Sequence, residues 1–366
     1  PGLPDEILED IFIRLDSAAD LARANAACTT FHRVVSARRF LRRYRSLHAP
    51  PVLGSIVSKV GKFHPAEPAH RSAPAARAVA RAAVFTFSFL PKPNRWRTRD
   101  VRDGRVLLAA SASSLEDLVV CDPLHRRYVE IPPMPIDLLA CIPPVPGDLD
   151  VLEFEPFLAP ASEEEESSFR VICNVVSAKK EPSFLQPRNN GDRSLVSSQA
   201  VVMEPLALKC LCFYWTHPFR KNLLVLDTGE MKFSFVDLLP KSLGTPLQHL
   251  ALKHAVVELG EGRLGLLTLG SDGLELYLRD NGADAQEWRH SKTVPMPKDR
   301  WCIIIGATEG YVLILQTGSS PHMPDPQYFT LELKTMMIER LSKMCSRISH
   351  HHLYANFPPP LSPPNI

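Results

Sequence analysis

Gly260-Glu261-Gly262-Arg263-Leu264-Gly265 has the spacing of a dinucleotide-binding turn, in which glycines let a pyrophosphate approach a helix N-terminus. Such a site needs a helix directly after the glycines. The next residues, Leu266-Leu267-Thr268-Leu269-Gly270 and then Ser271-Asp272-Gly273, read instead as a strand and a turn. The glycines are therefore expected to shape a hairpin. His350, His351 and His352 carry imidazoles able to hold a metal, yet no cysteine or acid stands beside them at ligand spacing. Cys210 and Cys212 point to one side of a strand, and no second pair completes a zinc site, so they are expected as small apolar fillers. There is no Gly-x-Ser-x-Gly elbow, no Gly-x-x-x-x-Gly-Lys loop and no His-Glu-x-x-His. The residues offer no catalytic set, no metal and no cofactor, and a triad scattered over distant strands is the enzyme pattern left open.

Charge is the next chemistry to test. Arg33, Arg38, Arg39, Arg42, Arg43 and Arg45 crowd one short stretch. A nucleic-acid footprint adds stacking aromatics or a groove-reading motif. Only Phe40 and Tyr44 lie nearby and the whole chain carries a net charge of +2, so a solvated helix face is expected and nucleic acid is not. Glu163-Glu164-Glu165-Glu166 and the stretch 182–199 read as exposed insertions. Trp96, Trp215, Trp288, Trp301, Tyr214, Tyr277 and Tyr311 are expected in the core or at the rim of the large body, with one or two free to grip a partner.

The elements that must position these groups fit a chain of 366 residues, long enough for one small and one large unit. Thirty-four prolines against seventeen glycines demand many loops and short elements. Eight cysteines without repeated spacing, and no Asn-x-Ser/Thr sequon, point to reduced thiols in the cytosol or nucleus. No apolar run approaches the ~18 residues of a membrane span. The chain opens at Pro1 without methionine, and a trimmed leader is expected.

The sharpest period is at the start. Leu3, Ile7, Leu8, Ile11, Phe12 and Leu15 recur at helical spacing, with Asp5, Glu6, Glu9 and Asp10 on the other face. Pro4 suits the beginning of that helix, and Asp16-Ser17 a break and a cap. A second set is Leu21, Ala24, Ala27, Cys28, Phe31, Val34 and Val35. Residues 1–20 hold six acids and one arginine, while residues 21–45 hold seven arginines and no acid.

Leu3-Pro4-Asp5-Glu6-Ile7-Leu8-Glu9-Asp10-Ile11-Phe12-Ile13-Arg14-Leu15 resembles the opening of an F-box, and Asp20 to Val35 with Arg38-Arg39-Phe40 resembles its remainder. Asp16-Ser17 stands where many members have proline, and Phe31 where many have tryptophan. The resemblance implies a three-helix module at 1–45 that docks on a Skp-type adaptor and through it a cullin. It implies adaptor contacts at Leu3, Pro4, Ile7, Leu8, Ile11, Leu15, Leu21 and Ala24, and a module core of Phe12, Cys28, Phe31 and Val35. Two apolar stripes also exceed what a unit of this size can bury by itself, so the surplus is expected to face a partner.

Residues 46–80, rich in proline, alanine and arginine, read as a linker, and Val84-Phe85-Thr86-Phe87-Ser88-Phe89 as a half-buried strand. A loose repeat comes after it. Gly104 to Leu108, Leu118 to Pro123 and Tyr128 to Pro135 return as Gly262 to Leu267, Leu274 to Leu278 and Thr293 to Pro297, then as Gly310 to Leu315, Tyr328 to Leu333 and Met337 to Leu341. Weaker runs at 169–176, 207–215, 223–226 and 232–236 fill the gap. Units of several short strands at ~40–50 residues predict a β-propeller of five or six blades over 81–345, with a flexible tail at 346–366. The repeat is similar to the propeller domains of many plant F-box proteins. Together these features predict a non-catalytic receptor that holds an unknown target protein for ubiquitination. A propeller enzyme or ligand binder with a vestigial helical leader is the alternative.

Overall fold

The computed structural model describes residues 3–57, 62–91, 95–110, 117–133, 152–159, 169–177, 180–185, 195–197, 206–207, 212–216, 222–227, 232–237, 254–259, 263–270, 272–279, 288–297, 300–308, 310–318, 326–343 and 351–356. Four helices lead: α1 Asp5–Phe12, α2 Ala18–Ala27, α3 Thr29–Val35 and α4 Arg38–Leu47. Pro4 stands one residue before α1, and Asp5 and Glu6 fill its first turn, where carboxylates suit the helix dipole. Ser17 caps α2, its side chain accepting the Asp20 amide at 3.3 Å. The expected second helix is split in two. Cys28 is extended and its thiol accepts the Phe31 amide at 3.5 Å, so α3 starts afresh, and the module has four helices rather than three. Leu8, Phe12, Ile13, Ala18, Leu21, Val34, Val35, Phe40 and Tyr44 form a core of their own. The Tyr44 hydroxyl donates to the Leu15 carbonyl at 2.8 Å, tying α4 to the end of α1. Phe31 lies edge-on to Phe12 at 5.0 Å, but Cys28, expected inside, is exposed.

The β body begins with β1 Val52–Val57, β2 Phe63–Pro65 and the helix α5 Ala73–Ala82. Five four-stranded antiparallel sheets come next in chain order. The first holds β3 Arg97–Arg102, β4 Arg105–Ala109, β5 Leu118–Asp122 and β6 Arg127–Ile131. The second holds β7 Leu152–Ala159, β8 Arg170–Ser177, β9 Lys180–Leu185 and β10 Leu195–Ser197. The third holds β11 Leu206–Ala207, β12 Cys212–Thr216, β13 Asn222–Asp227 and β14 Lys232–Asp237. The fourth holds β15 His254–Glu258, β16 Leu264–Leu269, β17 Gly273–Arg279 and β18 Arg289–Pro295. The fifth holds β19 Arg300–Thr308, β20 Tyr311–Gly318, β21 Gln327–Glu332 and β22 Met337–Lys343.

First strands of different sheets touch, β3 on β7, β11 on β15 and β15 on β19, so each sheet presents its first strand to a common centre. That is a propeller arrangement of five four-stranded blades. A last strand, β23 His351–Ala355, pairs with β1, and β1 pairs with β2. β23 also touches both β19 and β3. It therefore fills the inner position between the fifth and first blades, and a sheet built from both ends of the β body closes the ring.

The repeating glycine is a hairpin device. Arg102 pairs with Arg105 across Asp103 (φ +52°) and Gly104 (φ +74°), a two-residue turn that needs positive φ at both positions. Gly310, before β20, has φ +79° and plays the same part. The glycine-rich segment near 260 lies between β15 and β16, which pair directly, so a hairpin joins two strands there and no helix comes after it. Gly260 and Gly262 themselves lie outside the described residues.

The β body departs from the sequence-based expectations in four places. Residues 46–80 are not an irregular linker, because β1 is buried along its whole length between β2 and β23. Residues 351–355 are not a flexible tail, since β23 pairs with β1 and Tyr354 is sealed against Phe85 and Phe63 at 5.0 and 5.6 Å. The 84–89 segment is no strand but two successive turns, with Phe87 donating to Val84 and Leu90 to Phe87. Its alternation survives as burial: Phe85 and Phe87 plug the closure core while Thr86 and Ser88 face water. Part of the 182–199 stretch is likewise strand, in β9 and β10. Glu163 to Glu166 lie outside the described residues.

One hydrophobic cluster joins β1, β23, α5 and the 84–90 turns to the first and fifth blades. Residues 66–72 clasp this closure to the fifth blade. The Glu67 amide donates to the Leu341 carbonyl at 2.8 Å, and Arg71 donates to Glu339 at 2.6 Å and to Glu332 at 3.0 Å. Buried His70 bonds Thr330 at 3.1 Å through Nε2, while its Nδ1 accepts the Ser72 amide at 3.1 Å. An accepting Nδ1 fixes the neutral tautomer with the proton on Nε2. Burial holds His70 below the usual 6.5, with Arg71 acting the same way and Glu339 and Glu332 opposing. His64 on β2 is lowered too, by burial and by Lys62, against Glu67.

Two outcomes are expected. Tyr354→Ala, removing a buried aromatic from the closing strand, lowers unfolding free energy by about 3–5 kcal/mol in urea titrations. A folded pKa below 6.5 means that the unfolded chain binds protons first as pH falls, so stability is full above 6.5 and declines below it. The urea midpoint falls more between about pH 7 and about pH 5 in the unaltered chain than in His70→Asn, whose amide oxygen can accept from Ser72 without titrating.

Candidate functional site

Along α1 the side chains divide by face. Leu8 and Phe12 turn inward and are buried. Ile7 and Ile11, one helical turn apart, lie on the outside and are each 46% exposed, and Leu3, two residues before the helix, is 55% exposed. Pro4 is exposed beside them. Of the eight residues expected to meet an adaptor, the structure gathers Leu3, Pro4, Ile7 and Ile11 on open surface. It places Leu8 and Leu21, 4% and 0% exposed, inside the module core, with Leu15 and Ala24 half-buried against it. Helical period alone does not separate these groups, because residues 7, 8, 11 and 12 fall on one broad arc that only the packing of α2, α3 and α4 divides.

The charge split of the leading segment has a structural cause. Arg33 on α3 pairs with Asp5 on α1 through a fork with one arm at 2.8 Å, and Arg43 on α4 lies 3.6 Å from Asp10. Each is a surface pair worth about 0–1 kcal/mol after solvent screening. Their effect is orientational: they engage the acidic side of α1 with the arginines of its neighbours and leave the apolar row outward. His48, after α4, bonds the Ile13 carbonyl at 2.8 Å and stacks on Tyr44 at 4.3 Å, fixing the C-terminal end of α1. Leu47, absent from the expected contacts, is 54% exposed at the last turn of α4. A single leucine at a helix end gives no periodic signal by which sequence reading could find it.

The other candidate groups are dispersed. His351 and His352 belong to β23, and His351 is buried against Ser55 and Tyr328. Cys212 lies in β12, and Cys210 and His350 lie outside the described residues. Burial pushes the thiols of Cys121 and Cys173 far up, which keeps both protonated and unreactive. Among the described residues no three His, Cys, Asp or Glu side chains gather as metal ligands. No described helix is long and apolar enough to cross a membrane. Trp288, Tyr214 and Tyr311 are buried, and Trp96 packs on the closure core. Trp301 is exposed.

The four leading helices share a core of their own and leave Leu3, Ile7 and Ile11 uncovered. Residues 1–47 match the F-box-like family. The F-box-like domain thus spans α1 to α4 and ends where the β body begins. No curated protein matches this chain. Among solved structures, the chain is similar to the complex of the fission yeast SREBP–SCAP binding domains, at 12% identity and a TM-score of 0.35 over 66% of this chain and 62% of that one. It is also similar to a puromycin-hydrolyzing peptidase of Mycobacterium tuberculosis, at 16% identity and 0.34, over 69% and 39%. A third similarity is to a calcium-binding regucalcin of Agrobacterium tumefaciens, at 11% and 0.28, over 73% and 96%. The chain spans under two thirds of the first two, and the propeller assignment rests on its own strand order.

Single substitutions should separate the two faces of α1. Ile7→Asp and Ile11→Asp, at half-exposed positions, change unfolding free energy by no more than about 0.5 kcal/mol, whereas Leu8→Asp buries an unpaired charge and costs about 3 kcal/mol or more. Urea titration of the three variants reads the difference directly.

Proposed function

We propose that this chain is the substrate-recognition subunit of a Skp–cullin–F-box ubiquitin ligase. The observation that carries the reading is the exposure of Leu3, Ile7 and Ile11: an F-box-like domain that has filled its own core still holds these apolar side chains in water. A helix with such an exposed face suits insertion beside the helices of a partner, with Leu3, Ile7 and Ile11 as anchors and Pro4 next to them. The adaptor in turn recruits a cullin. The β-propeller holds the target protein, and the chain supplies no catalytic residue. It acts by raising effective concentration, keeping a bound target within reach of the ubiquitin-loaded enzyme. Reduced thiols fit work in the cytosol or nucleus.

Capture of a purified Skp-type adaptor by the full chain tests this. The unaltered chain retains the adaptor, and Ile7→Asp with Ile11→Asp weakens capture roughly a hundredfold, as expected for two central anchors. Failure of the unaltered, folded chain to retain any Skp-type adaptor rejects the reading.

A further inference from the structure

The β body meets the leading helices where α1 and α4 end. A Cβ on Gly310, in the turn before β20, would come within 2.6 Å of the Ala49 Cβ, and Asp16 lies 3.9 Å from Lys334 in the β21–β22 turn. At the opposite end of α4 the sequence breaks a local rule. Arg38 and Arg39 fill its first turn, where the helix dipole disfavours cations, and Ala37 before them supplies no side-chain cap. Both residues are exposed, and neither makes an ion pair among the described residues. Helix stability alone would not put arginines there.

Helical spacing gathers these charges into a surface. Arg39, Arg43 and Leu47, each four residues apart within α4, form one exposed row, and Leu47 is 54% exposed. Arg38 and Arg42 lie beside that row, so the outward side of α4 carries four arginines, Ser46 and no acid. Arg43 connects it to α1. It lies 3.6 Å from Asp10, and Asp10 stands three residues from Ile7, the helical spacing of neighbouring side chains. Arg43 and Asp10 keep 51% and 65% of their side-chain surface in water. The pair bridges an open surface, and Ile7, Asp10, Arg43, Arg39 and Leu47 form one continuous exposed face over two helices.

Resting on the receptor reading, we infer that the Skp-type adaptor docks on α4 as well as α1, and that it carries carboxylates beside the groove that takes Ile7 and Ile11. Arg38 and Arg39 receive those carboxylates, and Leu47 extends the apolar contact. Apolar anchors next to a charged margin are the composition of a protein interface. A nucleic acid is disfavoured because Phe40 and Tyr44, the aromatics of α4, are each 1% exposed and cannot stack on bases. An anionic membrane is disfavoured because Glu6 and Asp10, both exposed on α1, would meet it with like charge. A folded protein can set its carboxylates against the arginines alone.

The experiment measures adaptor affinity for the immobilised full chain at two salt concentrations. The Arg38→Glu, Arg39→Glu double variant binds at least roughly tenfold more weakly than the unaltered chain at about 50 mM NaCl, and the gap narrows at about 500 mM. Leu47→Asp weakens binding by roughly tenfold at either concentration. Glutamates suit the start of a helix, so the double variant melts no lower than the unaltered chain, and its loss of affinity is not unfolding. An adaptor held as tightly by the double variant at low salt, or by Leu47→Asp, overturns the inference. So does a labelled oligonucleotide or a phosphatidylserine vesicle that the unaltered chain binds at about 150 mM NaCl and the double variant releases while keeping the adaptor. No capture by the unaltered chain sinks the receptor reading itself. Capture lost with Ile7→Asp and Ile11→Asp but kept by the α4 variants sinks only the part assigned to α4.

Discussion

Pairing of β23 with β1 is the constraint on which the rest of the molecule depends. A ring of blades has an open seam unless something covers the inner edges of its first and last members, and unpaired strand edges are costly when buried. Here the two ends of the β body meet across nearly three hundred residues of sequence to make one sheet. Tyr354, Phe85 and Phe63 lock it with close ring contacts, and residues 66–72 pin it to the fifth blade through Arg71, Glu332 and Glu339. The seam carries polar groups inside it, namely His70, His351, Ser55 and Thr330. Burial there favours the neutral form of His70.

Closure by β1 also fixes where the helices sit. Only four residues separate the end of α4 at Leu47 from Val52, so the F-box-like domain is held close to the face on which β1 enters the sheet. A tether this short suits the proposed receptor reading, in which the helices and the propeller hold separate partners and closeness between them keeps effective concentration high.

The strands that could be read in advance differ in local pattern from those that could not. Second and third strands such as Val106–Leu108 and Leu118–Cys121 are buried on both faces and form continuous apolar runs, which stand out in any sequence. β3 carries polar residues, Arg97-Thr98-Arg99-Asp100, and lacks both an apolar run and a clean alternation. β23 was hidden for the same reason: His351-His352 opens it, and histidines near a proline-rich end look like a tail until β1 is placed beside them. Cys28 shows the converse failure, a small apolar residue on a helical period that packing left outside.

The order of the leading apolar residues, the glycine turns and the repeated pairs of buried strands were determined by the sequence alone, because they depend on local period and on φ values few residues other than glycine adopt readily. Which apolar residues of α1 remain uncovered, which face of the propeller the helices occupy, and how the ring is shut were decided only by tertiary structure. Each of these depends on which distant segment arrives as a neighbour, and a residue's own spacing carries no record of that.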